Sequence, residues 1–211
     1  MSKFLISLMS AALLSGAALS GPAWAEDAGA GSAVLNQLLN TPAANAWSAW
    51  GAKAALKKDS TVTGGAAMRV EVAAKPAHLW DAAAATPIKK PIQKGDVILV
   101  SFWARAVTPA PGGTTATLGS IAVQQAKEPY TNLFNEAAEV TDTWAMYYAS
   151  GVAGEDYGAG QLNVSVLLGA DQQTVDLGPA FVLDLGPHYD VSKLPHNKKA
   201  APPAPAAAPA A

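Results

Sequence analysis

An all-β sandwich is the fold class that this sequence predicts, and three observations carry the prediction. Short runs rich in Val, Ile, Leu and aromatic residues recur along the chain, several of them alternating apolar with polar residues. Clusters of Gly, Pro, Asn and Asp separate these runs at the spacing of successive strands. Beyond the N-terminal segment, no long 3.6-residue period interrupts the series.

The run from Val97 to Ala106 anchors the reading. It follows a Lys94-Gly95-Asp96 turn. Successive side chains of a strand point to opposite faces. Ile98, Val100, Phe102 and Ala104 therefore share a wholly apolar face. Val97, Leu99, Ser101, Trp103 and Arg105 share the other, which turns polar and aromatic toward its end.

The remaining elements follow in order. Val34 to Leu39 reads as a first strand or a helical turn, closed by Asn40-Thr41-Pro42. Ala54 to Lys58 is a weak strand, and Gly64-Gly65 is a tight turn. Met68, Val70 and Val72 alternate with Arg69 and Glu71. His78 to Ala84 carries Leu79-Trp80-Asp81, and Pro87 to Ile92 is extended because its prolines forbid a helix interior. A loop over 108–116 follows the anchoring run. Leu118 to Gln125 is a strand with Ile121 and Val123 on one face and Ala122 and Gln124 on the other. Phe134 to Val140 reads as a helical turn or irregular. Thr143 to Tyr148 is a strand with Trp144, Met146 and Tyr148 on one side. Leu162, Val164, Val166 and Leu168 point inward, with Gln161, Asn163 and Ser165 outward. Gln172 to Leu177 and Ala180 to Leu185 complete the sheets.

The ends differ in kind from the middle. Lys3, an apolar stretch from Phe4 to Leu19, and the small-x-small site Ala23-Trp24-Ala25 read as a signal peptide over 1–25. Residues 26–33 form a flexible leader. The sandwich spans 34–187. A closing segment and a low-complexity Ala/Pro tail, disordered or partly polyproline II, occupy 188–211. The expected location is the periplasm or outside the cell, with no membrane span after cleavage.

Composition excludes several functions. The formal net charge is −2 and only 14% of the 211 residues are charged, which argues against nucleic acid as a partner. Cysteine is absent, so thiol catalysis, disulfides and Cys-ligated zinc are excluded. The three histidines show no metal-ligating spacing, and no G-x-S-x-G elbow occurs. Glu128, Glu155 and Asp156 are loop carboxylates with no paired signature, so the chain reads as a non-enzyme and a small glycosidase is the remote alternative.

Six stretches together resemble carbohydrate-binding modules of the cellulase and xylanase type, the CenC-like group. They are Gly64 to Val70, His78 to Asp81, Lys94 to Ala106, Glu128 to Thr131, Trp144 to Tyr148, and Leu162 to Gly169 with Gln173-Thr174-Val175. The most specific is the strand ending Ser101-Phe102-Trp103-Ala104-Arg105-Ala106. The resemblance implies a galactose-binding-domain-like jelly-roll β-sandwich of two antiparallel sheets. It also implies a face that holds a polysaccharide or oligosaccharide by aromatic stacking and hydrogen bonds.

Carried over residue by residue, the resemblance implies ligand-binding roles for Trp80, Trp103, Arg105, Gln124, Tyr130 and Asn163. Each has a plainer alternative. Trp80 is equally a core or rim residue, and Trp103 and Arg105 are equally surface cover. Gln124 and Asn163 read first as ordinary solvated polar positions. Trp47, Trp50 and Trp144 are assigned to packing. Relatives hold a structural calcium with a carboxylate in the last strand, where this chain reads Leu177-Gly178-Pro179-Ala180, so no cofactor is expected. No glycosidase domain accompanies the module here, which motivates a second reading as a cell-envelope adaptor with a protein partner.

Export predicts a mature chain that begins at Glu26. Mass spectrometry of the exported protein should find it, and an intact Met1–Ala25 would contradict the signal-peptide assignment.

Overall fold

The computed structural model describes residues 35–197. The expected signal peptide, leader and Ala/Pro tail lie outside the described residues. Ten strands follow in chain order: β1 (Ser48–Trp50), β2 (Lys53–Lys58), β3 (Ala66–Val72), β4 (Ala83–Pro87), β5 (Val97–Thr108), β6 (Ala116–Gln125), β7 (Asn132–Val140), β8 (Ala145–Val152), β9 (Leu162–Leu167) and β10 (Gln173–Asp184). They form two antiparallel five-stranded sheets, ordered β1-β4-β9-β6-β7 and β2-β3-β10-β5-β8. The all-β sandwich expected from the strand pattern is therefore the observed architecture.

Both sheets turn their apolar rows inward. Ile98, Val100, Phe102 and Ala104 of β5 meet Ile121 and Val123 of β6 and Val164 and Val166 of β9 in one buried cluster. Each such side chain contributes about 1.5–3 kcal/mol by leaving water. Trp47 closes one side of this interior. Its ring stands edge-on to Phe102 at 5.7 Å, and its Nε1 donates to the Gly178 carbonyl at 2.8 Å.

The double-sided apolar start of β5 has its own explanation. Val97 and Leu99 point away from the interior and join Leu183 and Leu194 in a second cluster, with Leu38, Tyr148 and Tyr189 packed against it. The closing segment thus lies over the outer face of the β5 sheet. It ends at Asn197, whose side chain accepts from the Tyr148 amide at 2.8 Å and donates to the Tyr148 carbonyl at 2.7 Å. One side chain supplies β8 with the pair of bonds that another strand would.

Three elements depart from the sequence expectation. Phe134 to Val140 lies within strand β7, not a helical turn. Its apolar row is broken by Glu136, which stands opposite the buried Ile121 and meets His196 Nδ1 at 3.1 Å. Gln172 to Leu177 and Ala180 to Leu185 belong to one strand, β10, which carries its irregularity at Gly178-Pro179. A proline lacks the N–H that a regular ladder needs, and a bulge is where a strand accommodates one. Trp80 sits not in a strand but in a 3-10 turn over Leu79–Asp81 that leads into β4.

Packing of the closing segment predicts its energetic weight. Leu194→Ala should destabilise by about 2 kcal/mol and Asn197→Ala by about 1 kcal/mol. Chemical denaturation checks both, and an unchanged midpoint in Leu194→Ala would show that the segment merely rests on the sheet.

Candidate functional site

Strand β9 is central in its sheet and alternates strictly. Val164 and Val166 enter the interior, so Asn163, Ser165 and Leu167 point outward. Register then places neighbours beside each of them. Leu167 lies between Ala83 of β4 and Ser120 of β6, with Trp50 of β1 beyond Ala83. Ser165 lies between Ala85 and Ala122, with Ser48 beyond on β1 and Asn135 beyond on β7. Asn163 lies between Pro87 and Gln124.

The middle row, Ser48-Ala85-Ser165-Ala122-Asn135, contains only small or amide side chains. It crosses all five strands, about 19 Å at about 4.8 Å per strand spacing. Larger residues flank it on both sides: Trp50 and Leu167 on one, Pro87, Asn163 and Gln124 on the other. Size alone makes this row a trough. Ser165 at its centre is 0% exposed.

Two polar atoms of this face lack partners. Ser165 Oγ and Asn163 Oδ1 are buried and make no hydrogen bond within the protein. A buried polar atom left unpaired costs about 1–3 kcal/mol. Asn135 Nδ2, further along the same face, reaches Ser120 Oγ at 3.4 Å.

Exposed aromatics stand at both margins of the face. Trp50 is 42% and Trp80 61% exposed, and the Trp50 Nε1 donates to the Trp80 carbonyl at 3.1 Å. Tyr130 is 53% exposed in the loop between β6 and β7 and adopts a left-handed φ of 54°. That loop borders an open cavity of about 570 Å³ lined by Glu128, Glu155, Asp156 and Tyr157 among others. Asp156 Oδ1 there accepts from the Lys94 amide at 2.7 Å.

The six residues singled out from sequence do not share one surface. Gln124 and Asn163 lie side by side on the β9 sheet, with Trp80 and Tyr130 at its margins. Trp103 and Arg105 lie on the outer face of the opposite sheet. Trp103 is half-buried there, beside Met146 of β8. Arg105 is committed to an ion-pair network. Asp176, 1% exposed at its side chain, receives Arg69 through two bonds of 2.7 and 2.9 Å and Arg105 at 3.0 Å. Arg105 also pairs with Asp59 at 2.9 Å and lies over the Trp144 ring at 4.8 Å. Surface cover is what this arginine does, over Trp144 and not over Trp103.

The Asp176 side chain hydrogen-bonded to Arg69 raises that guanidinium's pKa further. The hydroxyl and amide of Thr61, with Arg105 beside them, hold Asp59 below the usual carboxylate range. Burial, reinforced by the neighbouring Asp96, pushes Asp184 up. Among the described residues no three His, Asp or Glu side chains group as a metal site.

Sequence reasoning missed Ser165, Trp50 and His78. Ser165 was visible as an outward position, but its burial and lack of a partner arise only from register. Trp50 is an exposed residue of β1 and not a packing residue, because Ala49 takes the inward position.

No family model matches the chain, and no curated protein does. Solved structures share its fold. A CBM4 carbohydrate-binding module aligns over 66% of this chain and 95% of its own, with a TM-score of 0.53 at 17% identity. The arabinose-bound α-L-arabinofuranosidase MgGH51 aligns over 72% of this chain and 26% of its own, with a TM-score of 0.50 at 12% identity. The CBM22-1 xylan-binding domain of Paenibacillus barcinonensis Xyn10C aligns over 71% and 92%, with a TM-score of 0.49 at 14% identity. The chain shares the β-sandwich fold of the CBM4 module. At these identities the likeness is one of fold.

The ion-pair network predicts acid sensitivity. A carboxylate whose folded pKa lies below its unfolded value contributes stability above the unfolded pKa and loses it as pH falls through the folded one. Asp59→Asn should therefore lower the melting temperature at pH 7, with the difference from wild type closing as pH falls below about 4. A constant difference down to pH 2 contradicts the assignment. Asp176→Ala leaves two guanidinium groups facing an empty site and should cost about 3 kcal/mol.

Proposed function

We propose that this protein is an exported, non-catalytic module that binds a polysaccharide or oligosaccharide on the outer face of the β1-β4-β9-β6-β7 sheet. One observation carries the reading: the exposed rings of Trp50, Trp80 and Tyr130 stand at the margins of a sheet face on which the amides of Asn163 and Gln124 lie side by side. A sugar suits such a face. Its hydroxyls exchange hydrogen bonds with the amides, and its C–H faces pack on indole or phenol rings. The trough ends at edge strands, at Ser48 on one side and at the exposed Asn135 on the other. An internal stretch of a chain can therefore lie across it without a terminus being enclosed. The carbohydrate-binding-module fold supports the reading, and so does the absence of charge along the Ser48-to-Asn135 row.

Glycan-array screening followed by affinity electrophoresis tests the proposal. Wild type should bind at least one soluble glycan. Gln124→Ala removes a half-buried amide of this face, so it should hold stability while weakening binding about 5- to 10-fold. Loss of binding together with loss of stability would point to a structural role for Gln124. No glycan bound by wild type, combined with a stable protein complex recovered from envelope extract, would favour the adaptor reading of the same fold. Hydrolysis of a glycan, lost in Glu128→Gln or Glu155→Gln, would replace both.

A further inference from the structure

Trp80, one of the residues the sequence assigns to the ligand, has the His78 ring stacked on its own and the Trp50 indole bonded to its carbonyl. We propose that His78, Trp80 and Trp50 form one preorganised shelf for a sugar ring, with Trp80 making the contact and His78 acting as a positioning residue behind it. This rests on the glycan-binding reading above.

The His78 and Trp80 rings are stacked, with centroids 4.8 Å apart and planes 9° from parallel. One face of the indole is thereby occupied, and the opposite face is left for a ligand. An exposed tryptophan without such backing samples several rotamers, and binding must then select one. Stacking makes that selection during folding.

His78 is itself held. Its amide donates to Asp81 Oδ2 at 2.8 Å, and its Nδ1 lies 3.2 Å from the same oxygen. The Asp81 amide donates back to the His78 carbonyl at 3.1 Å, closing the turn. Trp50 ties the turn to the sheet edge through its bond to the Trp80 carbonyl. Leu79 points the other way and seats the turn on the sheet. A Cβ on Gly119 would collide with the Leu79 side chain, and one on Gly169 would lie 2.6 Å from the Leu79 carbonyl oxygen. Only glycine at both positions lets the turn sit this close. Leu79 therefore anchors while Trp80 projects.

The arrangement has little to do for the core. None of Leu79, Trp80 and Asp81 is buried, and the His78 side chain is 57% exposed. A four-part support for a ring that remains in solvent fits a contact surface better than a packing element.

Calorimetric titration with xylohexaose, and in parallel with cellohexaose, separates the roles. The array's tightest glycan replaces them if neither hexaose binds. Trp80→Ala should weaken binding about 10-fold or more, and His78→Ala about 3- to 10-fold. His78→Phe restores a stacking ring and should recover affinity to within about 2-fold. Because His78 acts through Trp80, adding His78→Ala to Trp80→Ala should change affinity no further. All variants should melt within about 2 °C of wild type. Unchanged affinity in His78→Ala, no rescue by His78→Phe, or an additive loss in the double variant overturns the shelf. If Gln124→Ala weakens binding while His78→Ala and Trp80→Ala do not, the shelf falls and the glycan-binding reading stands. If wild type binds no glycan, both fall.

Discussion

Two five-stranded sheets share one apolar interior, and everything else in this molecule is arranged around supplying it. Each strand gives the interior alternate residues, so the residues between them face outward whether or not anything covers them. The chain carries no cysteine, so packing and hydrogen bonding hold the sandwich without disulfides. The two outward faces are the surplus left by this requirement, and the chain uses them in different ways.

The face of the β5 sheet serves stability. Asp176 and Asp59 neutralise Arg69 and Arg105 at one end, and the closing segment covers Val97, Leu99 and Leu183 at the other. Charges so nearly buried are tolerated because each meets its opposite at hydrogen-bond distance. The face of the β9 sheet is different in kind. It carries small side chains, amides and exposed indoles, and it leaves two acceptors unpaired. Local instability of this sort concentrates where a protein meets a ligand. The contrast between a face covered by ion pairs and the closing segment and a face that bears exposed indoles locates the candidate site.

Much of the fold was legible because a strand's face pattern is local. Leu162 to Leu168 and Ile98 to Ala104 declare their inward rows without reference to any other strand. The misread elements are those where local order is broken: β7 at Glu136, β10 through Gly178-Pro179, and the turn that carries Trp80. The site was legible only in part. Gln124, Asn163, Trp80 and Tyr130 fall on or beside one sheet, as their polarity and aromatic character suggested. Trp103 and Arg105 show the same outward alternation, yet they belong to the other sheet. Alternation reports that a residue leaves the interior and says nothing about which outward face it joins.

Sequence by itself determined the class of fold, the inward rows and the absence of thiol chemistry, since all three depend on residue type and on a period of two. Tertiary structure decided which strands became neighbours, and with that the row from Ser48 to Asn135, the isolation of Ser165 Oγ, and the stack of His78 on Trp80. The physical reason is register. Pairing between strands far apart in the chain is set by the fit of the whole interior, and the five residues of that row come from five separate segments. No local pattern contains that information.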